Sequence, residues 1–335
     1  MAMTGKRVPR RNRRTEALER PDYGWIWKPL LALAVIYLLA TLALSTWWSL
    51  EPSRFDVEGA TAERRGQVAA EPASRGAVTT ATLITTVATL LEKPGGYVRN
   101  DLAPPGLWLD NMPNWELGVL NQARDLADSL PLMESEAVPA LDLVGESLRD
   151  DSRDWLMPST EDRLESALGA LDGYLLTLSE TGDAEFVAGA GLDAWLDRVA
   201  GRLDDLGRRL SSSVASREQL GDLNLNQLPP RTPRLRVDDI FYEARGSGWA
   251  LVHFFEAVRR DQQDALVDGD VQAQWELLIA ELERTQRRLW SPMVLNGSGF
   301  GIIANHSQVM ANHMMRARDL AREVSERLEA PAPSS

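Results

Sequence analysis

A chain of 335 residues and 37.1 kDa, 44% hydrophobic and 25% charged, has the makings of a folded body and not of a collagen-like, mucin-like or wholly disordered protein. It contains no cysteine, which excludes disulfide scaffolds, thiolate zinc sites, iron–sulfur clusters and cysteine nucleophiles. The net charge of −13 is uneven, because residues 1–28 carry eight Lys/Arg against three Asp/Glu and leave −18 for the rest. So acidic a body repels a phosphate backbone, and nucleic acid is not an expected partner.

Residues 1–28 form a basic arm. Pro29–Trp48 follows, 20 residues without a charge, which at about 1.5 Å per residue matches the roughly 30 Å hydrocarbon core of a bilayer. Trp25 and Trp27 precede the run and Trp47 and Trp48 close it, the places where indoles sit at membrane interfaces. The expected partner of residues 29–48 is therefore the lipid bilayer. The basic flank, Lys6 to Lys28, puts the N-terminus in the cytoplasm and the body across the membrane. A cleaved signal peptide is the competing reading, with Ala43-Leu44-Ser45 as its cleavage region.

Residues 49–77 are polar and read as a stalk or weak helix. From residue 78 to 330 the pattern is helical. Val78–Leu91 and Asn114–Leu130 each carry one apolar stripe. Leu164, Leu168, Leu171, Leu175 and Leu178 alternate steps of four and three, and so do Leu192, Leu196, Val199, Leu203, Leu206 and Leu210. Two such seams joined by a turn at Thr181–Gly191 are expected to pair as an antiparallel hairpin. Residues 221–233, with paired prolines, suggest a boundary between helical layers. Asp238–Asp261, Val271–Leu289 and His306–Leu328 are the remaining helices; short strand signals occur only at Leu235–Val237 and Met293–Leu295, and 331–335 is a tail. The expected fold is mainly α, an N-terminal transmembrane helix followed by an extracytoplasmic helical bundle.

Few constellations carry chemistry. His306 and His313 stand seven apart, about 10 Å along one helix face and too far for a shared metal, and neither a metal nor a cofactor is expected. Gly297-Ser298-Gly299-Phe300-Gly301 lacks the spacing of a nucleotide loop. Carboxylates are abundant, but only a pair converging in a cleft would suit glycosidic chemistry. The connection Lys93–Pro113 differs in texture. Gly95-Gly96 and Pro104-Pro105-Gly106 fix turns, while Tyr97, Arg99, Asp101, Trp108, Asp110, Met112 and Trp115 combine large apolar surface with charge. Such a segment either plugs the core or binds a partner, and Tyr97, Arg99, Asp101, Trp108, Asp110 and Trp115 are the candidate binding residues.

The stretches KPGGYVRND, PPG, LDNMPNWELGVL and ANHSQVMANHM resemble those of an uncharacterised family of proteobacterial single-span membrane proteins, a domain of unknown function. The resemblance covers most of the chain after residue 77 and implies a Gram-negative envelope protein; it brings no activity, catalytic residue or cofactor. The expectation is an inner-membrane-anchored periplasmic scaffold or binding protein, with an envelope protein or glycan as partner. The alternative is an envelope enzyme acting on peptidoglycan or another glycan through two carboxylates.

Overall fold

A computed structural model describes residues 24–66, 73–178, 186–214, 237–287 and 306–329. Most of the basic arm, the turn at 181–185, the 221–233 boundary, Met293–Leu295, the 297–301 glycines and the 331–335 tail lie outside these. Within them the chain is all α: α1 (Gly24–Trp48), α2 (Val57–Arg64), α3 (Ala77–Glu92), α4 (Asn111–Ala127), α5 (Pro139–Arg149), α6 (Thr160–Leu176), α7 (Leu192–Val214), α8 (Val237–Asp261), α9 (Gln263–Asp268), α10 (Gln272–Thr285) and α11 (His306–Glu329). Among the described residues no strand occurs, and Val237, the end of one strand signal, opens α8.

α1 is the apolar helix, with Trp27–Trp48 long and apolar enough to cross a membrane. The body is organised around α8, which packs against α2, α3, α4, α7, α9, α10 and α11. A helix clasped on several sides needs small residues where its neighbours come closest. A Cβ on Gly246 would lie 2.0 Å from the Trp115 carbonyl oxygen, and one on Gly118 of α4 would lie 2.1 Å from that of Glu243. α4 and α8 therefore cross backbone on backbone, and the Ser247 hydroxyl donates to the Gly118 carbonyl at 3.3 Å. Gly248 does the same towards α10, where a Cβ would meet the Thr285 hydroxyl at 2.3 Å.

Both leucine seams are buried, Leu164, Leu171, Leu175 and Leu178 on one side and all six seam residues of α7 on the other. The expected hairpin is corrected in its partners. α7 runs antiparallel to α11, with Arg318 2.5 Å from Asp204 and the Ser325 hydroxyl near Asp193 and Asp197, while α6 packs on α5 and α3. The connection into α7 explains this. Val187 N–H donates to Met133 O at 2.7 Å and Gly189 N–H to Gln262 Oε1 at 2.8 Å, so the chain is pinned to other elements before α7 begins.

The polar stretch after α1, read from sequence as a stalk, is fastened along α8, with one tie to α10, over residues 51–58. Glu51 pairs with Arg245 through two bonds of 2.8 and 2.6 Å, Arg54 with Glu283 at 2.6 Å, and Glu58 with Arg260 at 3.3 Å. Between them the Phe55 ring stacks on His253 at 4.0 Å. Because the partners on α8, Arg245, His253 and Arg260, ascend it in order, the N-terminal end of α8 is the end nearest α1.

Candidate functional site

α3 delivers the chain to the same end of the body. After Glu92 it turns through Gly95 and Gly96, whose φ values of +90° and +68° favour glycine. A Cβ on Gly95 would also lie 2.6 Å from the Trp48 ring, so the last turn of α1 sits on this bend. Lys93 braces it: its Nζ donates to Gly96 O at 2.5 Å and lies 2.6 Å from Glu116 Oε1, with both side chains buried. Glu116 also accepts the Val98 N–H at 3.0 Å. Burial raises the Glu116 carboxyl above the usual carboxylate range, and Lys93 opposes the shift.

The next residues tie this connection to a second loop, 150–159. Tyr97 is buried, its hydroxyl donating to Ser152 O at 2.8 Å, and burial raises its pKa so that the phenol stays protonated. Arg99 donates to Ser152 Oγ at 2.9 Å and Pro113 O at 2.8 Å. Asn100 donates to Asp154 O at 2.9 Å and Glu161 Oε2 at 2.6 Å. The Asp101 carboxylate lies over Gly106, where a Cβ would meet Oδ2 at 1.8 Å; burial, with Glu161 nearby, raises its pKa. Asp110 caps α4 by accepting the Asn111 N–H at 2.9 Å. Met112 and Trp115 then enter the core, Trp115 with its ring centroid 5.2 Å from that of Trp249.

The six candidate residues thus share one end of the body without forming one surface. Tyr97 and Trp115 close the core, Arg99 clamps two loops, Asp101 and the exposed Asp110 hold turns, and Trp108, at 50%, is the one large apolar side chain among them that is exposed. Leu102 and Leu107 are exposed beside it, and the 3-10 turn Gly106–Trp108 lies against α1. Sequence reading missed the second loop, where Trp155, Leu156 and Met157 are exposed in a row. The available signal was an apolar triplet between Asp154 and Pro158, outside any helical period.

Elsewhere His253 and His313 are engaged structurally. His253 is fully buried; its Nδ1 faces Trp249 O at 2.7 Å and so carries the proton, leaving Nε2 to accept the Phe55 N–H at 3.2 Å. Burial holds it neutral, with a pKa pushed down to about 4. His313 pairs with Glu281 at 2.9 Å. Among the described residues no group of three His, Cys, Asp or Glu stands close enough to hold a metal ion. A cleft of about 450 Å³ beside α2, α8 and α10 gathers Asp56, Glu58, Glu256 and Glu276. Of these, Asp56 caps α2, Glu58 faces Arg260, and Glu276 faces Arg259 at 4.0 Å.

Fold and site together define an all-α body that follows one apolar helix and rests its looped, tryptophan-bearing end against it. The chain belongs to the family described as "Uncharacterized protein conserved in bacteria (DUF2333)", which it matches over residues 21–329. No curated protein and no solved structure matches it.

Proposed function

We propose that this is an inner-membrane-anchored protein of the bacterial envelope, with its N-terminus in the cytoplasm and its body in the periplasm, where it serves as a scaffold or binding protein for another envelope component. The observation that carries the reading is the surface of α1. Leu30, Leu31, Leu33, Ile36, Leu38, Leu39 and Leu42 are all about half exposed or more, an apolar surface that water penalises and lipid covers. The basic flank supplies the orientation. The cleft favours binding over acid/base catalysis, because three of its four acids are held by a cap or an arginine.

Alkaline phosphatase fused to the C-terminus is expected to be active, and the protein is expected to resist carbonate extraction. A stably expressed but inactive fusion would overturn the orientation, and a shortened soluble product would show that the apolar segment is removed. Glu256→Gln is expected to complement a deletion strain fully; failure of this variant at normal abundance would favour the enzyme reading.

A further inference from the structure

The end of the body nearest α1 exposes six large apolar side chains on two loops: Leu102, Leu107 and Trp108 on one, Trp155, Leu156 and Met157 on the other, at 50–90% exposure. Neither loop is loose. Leu107, Trp108 and Leu109 donate their N–H groups to Ala103, Pro105 and Gly106 at 2.9–3.1 Å, so the first loop satisfies its own backbone and holds its side chains outward. The second is tied to the first through Ser152 and Asp154. An apolar patch held in place and left uncovered marks a surface that meets something apolar.

The position of the patch names the occupant. The Gly106–Trp108 turn lies against α1, and the Trp48 ring sits on Gly95. On α1, Thr41 is buried and Ser45 and Trp48 are partly covered, while the residues around them are exposed. These three recur on one helix face over its last two turns, the stretch that reaches a membrane interface if α1 spans. Tryptophan and leucine are residues that settle in that interface. The surrounding charge is mixed, with Arg99 and Arg153 set against Asp101, Asp110 and Asp154, so the chemistry is that of the acyl boundary and not of an anionic headgroup.

We infer that the 102–108 and 155–157 loops dip into the periplasmic interface of the same bilayer that α1 crosses and seat the body on the membrane. This rests on α1 being a membrane span, and the experiment separates the two ideas. Because the chain has no cysteine, single cysteines at Leu107, Leu156, Ile36 and Val267 can each carry an environment-sensitive nitrobenzoxadiazole label on the full-length protein. The labelled proteins are reconstituted in phosphatidylethanolamine and phosphatidylglycerol vesicles, with and without lipid bearing a doxyl quencher near the headgroup or deep in the acyl chain. Ile36 lies within α1, and Val267 is exposed on α9, beyond the opposite end of α8.

The expected result is a blue-shifted emission and strong quenching by the shallow quencher at Leu107 and Leu156, deep quenching at Ile36 and no quenching at Val267. Quenching at Ile36 with Leu107 and Leu156 behaving like Val267 would overturn the seating and leave the span intact. Quenching at Leu107 but not Leu156 would overturn its two-loop form. No quenching at Ile36 would overturn the span and the inference with it. All four sites accept a label at the surface, and Leu102 and Met157 replace any labelled position that fails to fold by circular dichroism.

Discussion

Within the single stretch 93–115, residues of the same kind meet opposite fates. Tyr97, Met112 and Trp115 are at most 4% exposed, while Leu102, Leu107 and Trp108 are 50–60% exposed. Composition does not separate the two sets; the backbone around them does. Tyr97 follows a bend braced by a buried ion pair, and Trp115 falls where α4 meets Gly246. Leu102–Trp108 instead lies between Asp101 and Asp110, in a turn that closes its own hydrogen bonds and needs no packing to hold shape. The lesson is that exposure here is built: the turn keeps its apolar side chains out as firmly as the core keeps the others in.

The largest effect is expected among the buried residues. Trp115→Ala empties a fully buried indole site and is expected to lower unfolding stability in denaturant by about 3–5 kcal/mol; an unchanged midpoint would show that the segment does not plug the core. The neighbouring strap, residues 51–58, offers a pH test. His253 titrates near 6.5 when unfolded and near 4 in the fold, so between those pH values the unfolded chain binds the extra proton. Stability is therefore present above pH 6.5 and is lost as pH falls towards 4, by about 3 kcal/mol at most. His253→Gln cannot take up that charge, and pH-dependent melting should show it without this part of the slope.

Smaller is the effect of crowding the helix crossing that positions Trp115. Gly246→Ala puts a methyl group into the Trp115 backbone and should cost about 1–3 kcal/mol, measured by chemical denaturation. Smallest is Trp108→Ala, expected to leave stability within about 0.5 kcal/mol. A large loss there would place the exposed half in the core as well and erase the contrast.

Much of the fold was legible because burial is written in spacing. The apolar run of α1, the leucine seams and the Trp275, Leu278 and Leu282 stripe all name faces that had to be covered. Spacing does not name what covers them. Leu203 and Leu206 announce a seam, but nothing near them in sequence points to α11, more than 100 residues on. The same limit hid the fastening of the supposed stalk: Glu51 and Arg54 look like solvated charges until Arg245 and Glu283 arrive, 194 and 229 residues later. Spacing is also silent on Gly246 and Gly248, which lie where α8 crosses α4 and α10, since the meaning of a missing Cβ depends on the neighbour. For the site, turn residues marked the 93–113 connection as special, while its partner loop carries only Trp155-Leu156-Met157 and no turn glycine.

The ties of residues 51–58 and the Trp48 contact on Gly95 predict a body held in one attitude at the end of α1 and not swinging on a stalk. A spin-label pair at Trp47→Cys and Val267→Cys, both exposed, measures this directly by pulsed electron resonance on the full-length protein in lipid vesicles. One narrow distance distribution is expected, broadening when Glu51→Gln and Phe55→Ala release the strap. A broad distribution in the unaltered protein, unmoved by those substitutions, would contradict the claim.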